Sequence, residues 1–193
     1  MNGQLDPLRN RVTAIGLSTP TTDETYEGPE AEILTLVARR LPMLDDGTVV
    51  TWNGAVLSLP FLVARAEYLQ VDLGLELFED RRQVVTDAPL AGLAHPCLAT
   101  WGAHAHLDLR RVYLDQAPKQ RRIGLRRDTP APGEDPLVDD LTARDPEQNA
   151  RLIRQLASRR WDQGKRMVDR LPRRSSLPEA RPTRADGLQA TRR

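Results

Sequence analysis

A chain of 193 residues accommodates one domain of ordinary size plus a tail, and 39% hydrophobic residues broken by 15 prolines and 12 glycines read as a folded body with irregular parts. A net charge of +1 excludes the global basic signature of a nucleic-acid binder, and the single cysteine, Cys97, excludes an intramolecular disulfide or a Cys-based zinc cluster. No apolar run approaches the roughly 20 residues that span a bilayer, and the N-terminus lacks a secretory pattern, so a cytoplasmic protein with no membrane partner is expected.

Arg11 to Ser18 is a short β-branched and apolar run that reads as a strand, and the polar stretch from Thr19 to Gly28 suits a hairpin loop or an irregular second strand. Pro29 opens a helix, with Glu30 and Glu32 near the positive end of its dipole. Ile33, Val37 and Leu41 recur at helical spacing until Pro42 stops the run, and Asp45-Asp46-Gly47 makes a turn. Thr48 to Trp52 is the strongest strand pattern and ends at Asn53-Gly54; Leu59 to Leu69 is a second helix with Pro60 in its first turn.

Glu79 to Gln83 is wholly polar, and the chain reads as loop up to Pro96. His104 to Tyr113 reads as a strand running into a helix, and Gln116 to Asp140, rich in Pro, Arg and Asp, as a loop. Asp145 to Trp161 is an amphipathic helix, with Ala150, Ile153, Leu156 and Ala157 on one face and Arg151, Arg154 and Arg159 largely on the other. Prolines and arginines then dominate, so the folded body is expected over 5–161 and a disordered basic tail over 162–193. That tail is either a solvated C-terminus or a weak, salt-sensitive contact for nucleic acid or another acidic surface.

The stretch Thr51-Trp52-Asn53-Gly54-Ala55-Val56-Leu57-Ser58-Leu59-Pro60-Phe61-Leu62-Val63-Ala64-Arg65 resembles the second motif of DEDD-superfamily 3′–5′ exonucleases, in the subgroup similar to B-family polymerase proofreading domains. Three more stretches fit in order. Arg11 to Ser18 resembles the strand after the first motif, His104-Ala105-His106-Leu107-Asp108-Leu109 a His-x-Asp-Leu strand, and Ala150 to Trp161 the helix of the third motif. The resemblance implies an α/β, ribonuclease-H-like mixed sheet flanked by helices.

It also implies a two-metal nuclease, in which four carboxylates hold a pair of Mg²⁺ or Mn²⁺ ions about 4 Å apart. Those carboxylates are replaced here. The second-motif Asp falls on Ser58, the third-motif Asp on Asn149 and its Tyr on Asp145. Neutral oxygens do not supply the charge that holds two dications against their repulsion. The first motif, Asp-x-Glu, would lie just before Met1, so the first central strand of the sheet is expected to be missing, through a misassigned start, a broken gene or a distorted domain.

Each candidate residue also has a plain structural reading. Ser58 can N-cap the helix that follows, Asn149 can be a partly exposed polar residue, and Asp145, just before Pro146, can be an N-cap. Asp108 is a possible substitute carboxylate or a partner for a nearby arginine. Asn53, Gly54, Phe61 and Arg65 are expected nucleic-acid contacts, although Arg65 can equally cover the surface and Trp52, Phe61 and Trp161 can be core. His104 and His106, two apart on one strand, raise a metal reading that the lack of a Cys cluster weakens. The expected function is an exonuclease-like domain without catalysis that binds DNA or RNA, with no cofactor unless Mg²⁺- or Mn²⁺-dependent activity survives. One alternative is an active exonuclease using substitute carboxylates, and another is an interaction or structural remnant without nucleic-acid affinity. Oligomeric state is left open.

Overall fold

The computed structural model describes residues 5–81, 83, 85, 90, 93–114 and 145–168. It is a mixed α/β structure. Strands β1 (Ala14–Ser18) and β2 (Asp23–Glu27) form an antiparallel hairpin, followed by helix α1 (Glu30–Arg40) and a 3₁₀ turn at Leu41–Met43. Strand β3 (Thr48–Thr51) leads through a π-type turn, Gly54–Ser58, into α2 (Leu59–Leu69). After β4 (Leu75–Glu79), β5 (Cys97–Trp101) and β6 (His104–Asp108) come α3 (Leu109–Leu114), α4 (Pro146–Arg159) and α5 (Trp161–Val168).

The second sheet has the order β3-β6-β5-β4, with β3 parallel to β6 and the other pairs antiparallel. Consecutive strand residues point to opposite faces, and this divides the core. Val49 joins a cluster with Ile33, Leu34, Val37, Leu59 and Trp101 beneath α1 and α2. Val50 joins Leu107, Leu109, Val112, Tyr113 and Leu156 beneath α3, α4 and α5. The sheet is thus covered by helices on both faces.

The hairpin does not join that sheet. Among the described residues β1 pairs only with β2, and β3 only with β6, so each piece ends at a strand with one open edge. Helix α4 packs against β1, β2 and β3. Its approach to β1 is so close that a Cβ on Gly16 would lie 2.0 Å from the Pro146 carbonyl oxygen.

The expected strands at 11–18, 48–52 and 104 onward, and the helices at 29–41, 59–69 and 145–161, are present with shifts of a few residues at some ends. Two strands, β4 and β5, were not expected; Leu75-Glu76-Leu77-Phe78-Glu79 and Cys97-Leu98-Ala99-Thr100-Trp101 gain their extended form by pairing with each other, from Leu75↔Trp101 to Glu79↔Cys97. Residues 162–168, expected to open the tail, belong instead to α5, seated through buried Gly164 on the Leu107 side chain. The loop expected at 116–140 and the tail beyond 168 lie outside the described residues. Among the described residues, no helix is long and apolar enough to cross a membrane.

Candidate functional site

The strand-end corner at the finish of β3 and β6 brings together three of the residues singled out from sequence, Asn53, Gly54 and Asp108. Asn53 turns the chain with a left-handed backbone (φ 61°), a conformation that Asn tolerates better than most residues. Gly54 follows because a Cβ there would lie 1.9 Å from Thr51 Oγ1. The Asn-Gly pair is thus explained by the sharp exit from β3 into α2.

Asp108, at the end of β6, holds this corner shut. Its Oδ1 accepts from the Asn53 N–H (2.9 Å) and the Arg110 N–H (3.1 Å), and its Oδ2 from the Ala55 N–H (3.0 Å). Burial pushes the carboxyl above the ordinary Asp range, and these N–H bonds and the charge of Arg111 oppose that rise. The arginine ion pair expected for this residue is not found among the described residues. Asp108 is a backbone staple, with both oxygens already accepting. The Arg110 side chain turns instead to Asn53, its Nη1 donating to Asn53 Oδ1 (3.2 Å).

Behind Asp108 on the same strand, His106 Nε2 bonds Thr51 Oγ1 (2.8 Å) across the β3–β6 pair. Burial, then the charge of Arg111, lowers its pKa to about 4, so the ring is neutral at pH 7. His104 Nε2 donates to the Leu41 carbonyl (3.1 Å). The Nε2 atoms of the two histidines therefore serve separate structural bonds.

Arg65 and Phe61 are displaced from the roles expected of them. Arg65 is 3% exposed, and its guanidinium donates to both Glu30 oxygens and to the Pro7 carbonyl. Glu30 Oε1 also accepts from the Val12 N–H (2.8 Å), so this buried pair pins the N-terminal segment across α1 and α2. Each partner reinforces the other's charge: Arg65 lowers the Glu30 pKa, and Glu30 raises that of Arg65. A guanidinium so engaged offers no free donor face to a phosphate. Phe61 is a core residue, 9% exposed, and no stacking platform. Gly54 is buried as well.

The degenerate motif positions sit on the elements expected. Ser58 is half-buried where the π-type turn passes into α2, with helical backbone and no side-chain capping bond, so the N-cap reading fails because the helix is already under way. Asn149 lies half-buried on α4. Asp145 caps that helix, accepting from the Glu147 N–H (2.9 Å) and the Gln148 N–H (3.4 Å). Among the described residues no group of three or more His, Cys, Asp or Glu side chains comes together to hold a metal ion. The residues present do not fit a pair of divalent cations, since Ser58 and Asn149 are neutral and Asp108 and Asp145 already accept backbone N–H bonds.

Two features escaped the sequence reading. Glu30 was read only as a first-turn acid; its pairing with Arg65, 35 positions on, leaves no local signal. Trp161, expected in the core, is 41% exposed. No family model matches the chain, and no curated protein matches it.

Proposed function

We propose that this chain is a ribonuclease-H-like, 3′–5′ exonuclease-like domain that binds nucleic acid without metal-dependent cleavage. The observation that carries the reading is the pairing of neutral residues, Ser58 and Asn149, at the motif positions with an Asp108 whose oxygens already serve three backbone N–H groups. The Asn-Gly exit from β3, the parallel β3–β6 pair and α4 laid across β1 and β3 support the fold assignment.

The test is incubation of the full chain with a labelled single-stranded oligonucleotide and Mn²⁺, with binding followed in parallel at low and high salt. Binding without cleavage is the expected result. Cleavage that disappears with EDTA and in Asp108→Asn or Asp145→Asn would overturn it in favour of substitute carboxylates. Absence of binding to both DNA and RNA at low salt would leave an interaction or structural role.

A further inference from the structure

Of the four residues first expected to meet nucleic acid, Gly54, Phe61 and Arg65 are buried and Asn53 is half-buried in a turn, so they make a poor contact surface by themselves. Helix α5 offers an alternative. Gly164 seats the helix against Leu107, and Met167 and Val168 pack into the second core cluster. Trp161 and Lys165 stand one turn apart, where side chains four residues apart are neighbours. Trp161 is 41% exposed, whereas Trp101 is 7% exposed and donates its indole N–H to the Leu73 carbonyl. Lys165 and Arg166 are exposed and form no ion pair among the described residues.

Charge is also uneven along the chain. Residues 161–193 hold nine Lys and Arg against four Asp and Glu, while residues 1–160 hold nineteen against twenty-three. The near-neutral total thus conceals an acidic body and a basic C-terminal part. A cationic surface alone fits any polyanion. An exposed indole beside it adds a preference for a polyanion whose aromatic faces are free to stack, which single-stranded nucleic acid presents and a duplex does not.

We propose that α5, with Trp161 stacking on a base and Lys165 and Arg166 meeting phosphates, is the single-strand-binding element of this protein. This rests on the reading that the chain binds nucleic acid, and it moves the contact from the motif-two helix to the C-terminal one.

The experiment is fluorescence anisotropy of the full chain with a labelled oligothymidylate and with a duplex of equal length, across a salt series. Trp161→Ala should weaken single-strand binding at least ~5-fold, with a smaller effect on the duplex. The double variant Lys165→Glu/Arg166→Glu should lower the slope of log affinity against log salt by about 1.4 for the single strand. Wild-type tryptophan emission should be quenched by the oligonucleotide, and that quenching should be reduced in Trp161→Phe. Tight binding by the wild type that both sets of variants retain would overturn this proposal alone. Equal weakening of single strand and duplex by Trp161→Ala would overturn the stacking assignment. No wild-type binding at low salt would remove this proposal together with the reading on which it rests. If Trp161→Ala fails to fold, the charge-reversed variant and the quenching measurement still decide.

Discussion

In the four-stranded sheet, β3 and β6 are joined by a parallel ladder and then locked at their ends by buried polar groups: His106 to Thr51, and Asp108 to three backbone N–H groups. The β1–β2 hairpin shares no ladder with that sheet. It is attached by packing of Ile15, Leu17 and Tyr26 on the first core cluster and by side-chain bonds to helices, with Arg40 on Glu24, Arg151 on Asp23 and Arg154 on Ser18. Arg151 is 46% exposed, so its pair with Asp23 contributes well under what the buried corner does. The difference is one of kind. The corner's polar bonds centre on an acceptor and a ring that are themselves buried, whereas the hairpin's centre on charged side chains partly open to water.

The largest expected effect tests the corner. Asp108→Ala leaves three N–H groups of a tight turn without their acceptor and should destabilise the protein by about 3 kcal/mol or more, measured by urea denaturation. Asp108→Asn, which keeps one acceptor oxygen, should cost less. A loss below about 1 kcal/mol for Asp108→Ala would show that the turn is held elsewhere and would erase the contrast with the hairpin.

Acid should act on the same corner through His106. In the unfolded chain a histidine binds its proton near pH 6.5, whereas the buried ring of the folded state binds it only near pH 4. Between these values the unfolded state holds more protons, so stability is full above about pH 6.5 and falls as pH drops toward 4, by about 3 kcal/mol in total. Asp108, whose carboxyl is pushed upward, works in the other direction and offsets part of this loss on acidification. His106→Gln should flatten the wild-type pH dependence of urea midpoints over that window. An unchanged slope would mean that His106 is not the group responsible.

The corner was half legible in the sequence. Asn53-Gly54 marks a turn whatever the fold, and Thr48-Val49-Val50-Thr51 is β-branched enough to declare itself. What Asp108 does was not legible, since its partners at Asn53 and Ala55 lie more than 50 positions away and are backbone groups that no residue type reveals. Arg65 was misread for a related reason: an arginine one turn into a helix is normally at the surface, and only Glu30, brought against it by packing of α1 on α2, justifies its burial. Strands β4 and β5 were missed because Leu, Glu and Ala favour helix as readily as strand, and their extended form comes from pairing with each other and, for β5, with β6. Trp161 was expected in the core, whereas its place at the start of a short helix seated on Gly164 leaves it at the margin.

The hairpin has one point where contact is tight, and that point sharpens the comparison. At Gly16 the Pro146 backbone lies so near that a Cβ would sit 2.0 Å from its carbonyl oxygen and 2.4 Å from its carbonyl carbon. Backbone cannot rotate aside as a side chain can, so Gly16→Ala must lift the start of α4 away from β1. The cost should be about 1–3 kcal/mol by the usual penalty for overpacking. Because the hairpin shares no ladder with the sheet, the damage should stay local: amides of β1 and β2 should exchange faster, while those of β3 and β6 keep wild-type protection. Hydrogen exchange resolved by residue makes the distinction. Equal loss of protection in both pieces would mean that α4 couples hairpin and sheet into one cooperative unit, and the two would then differ in their bonds but not in their stability.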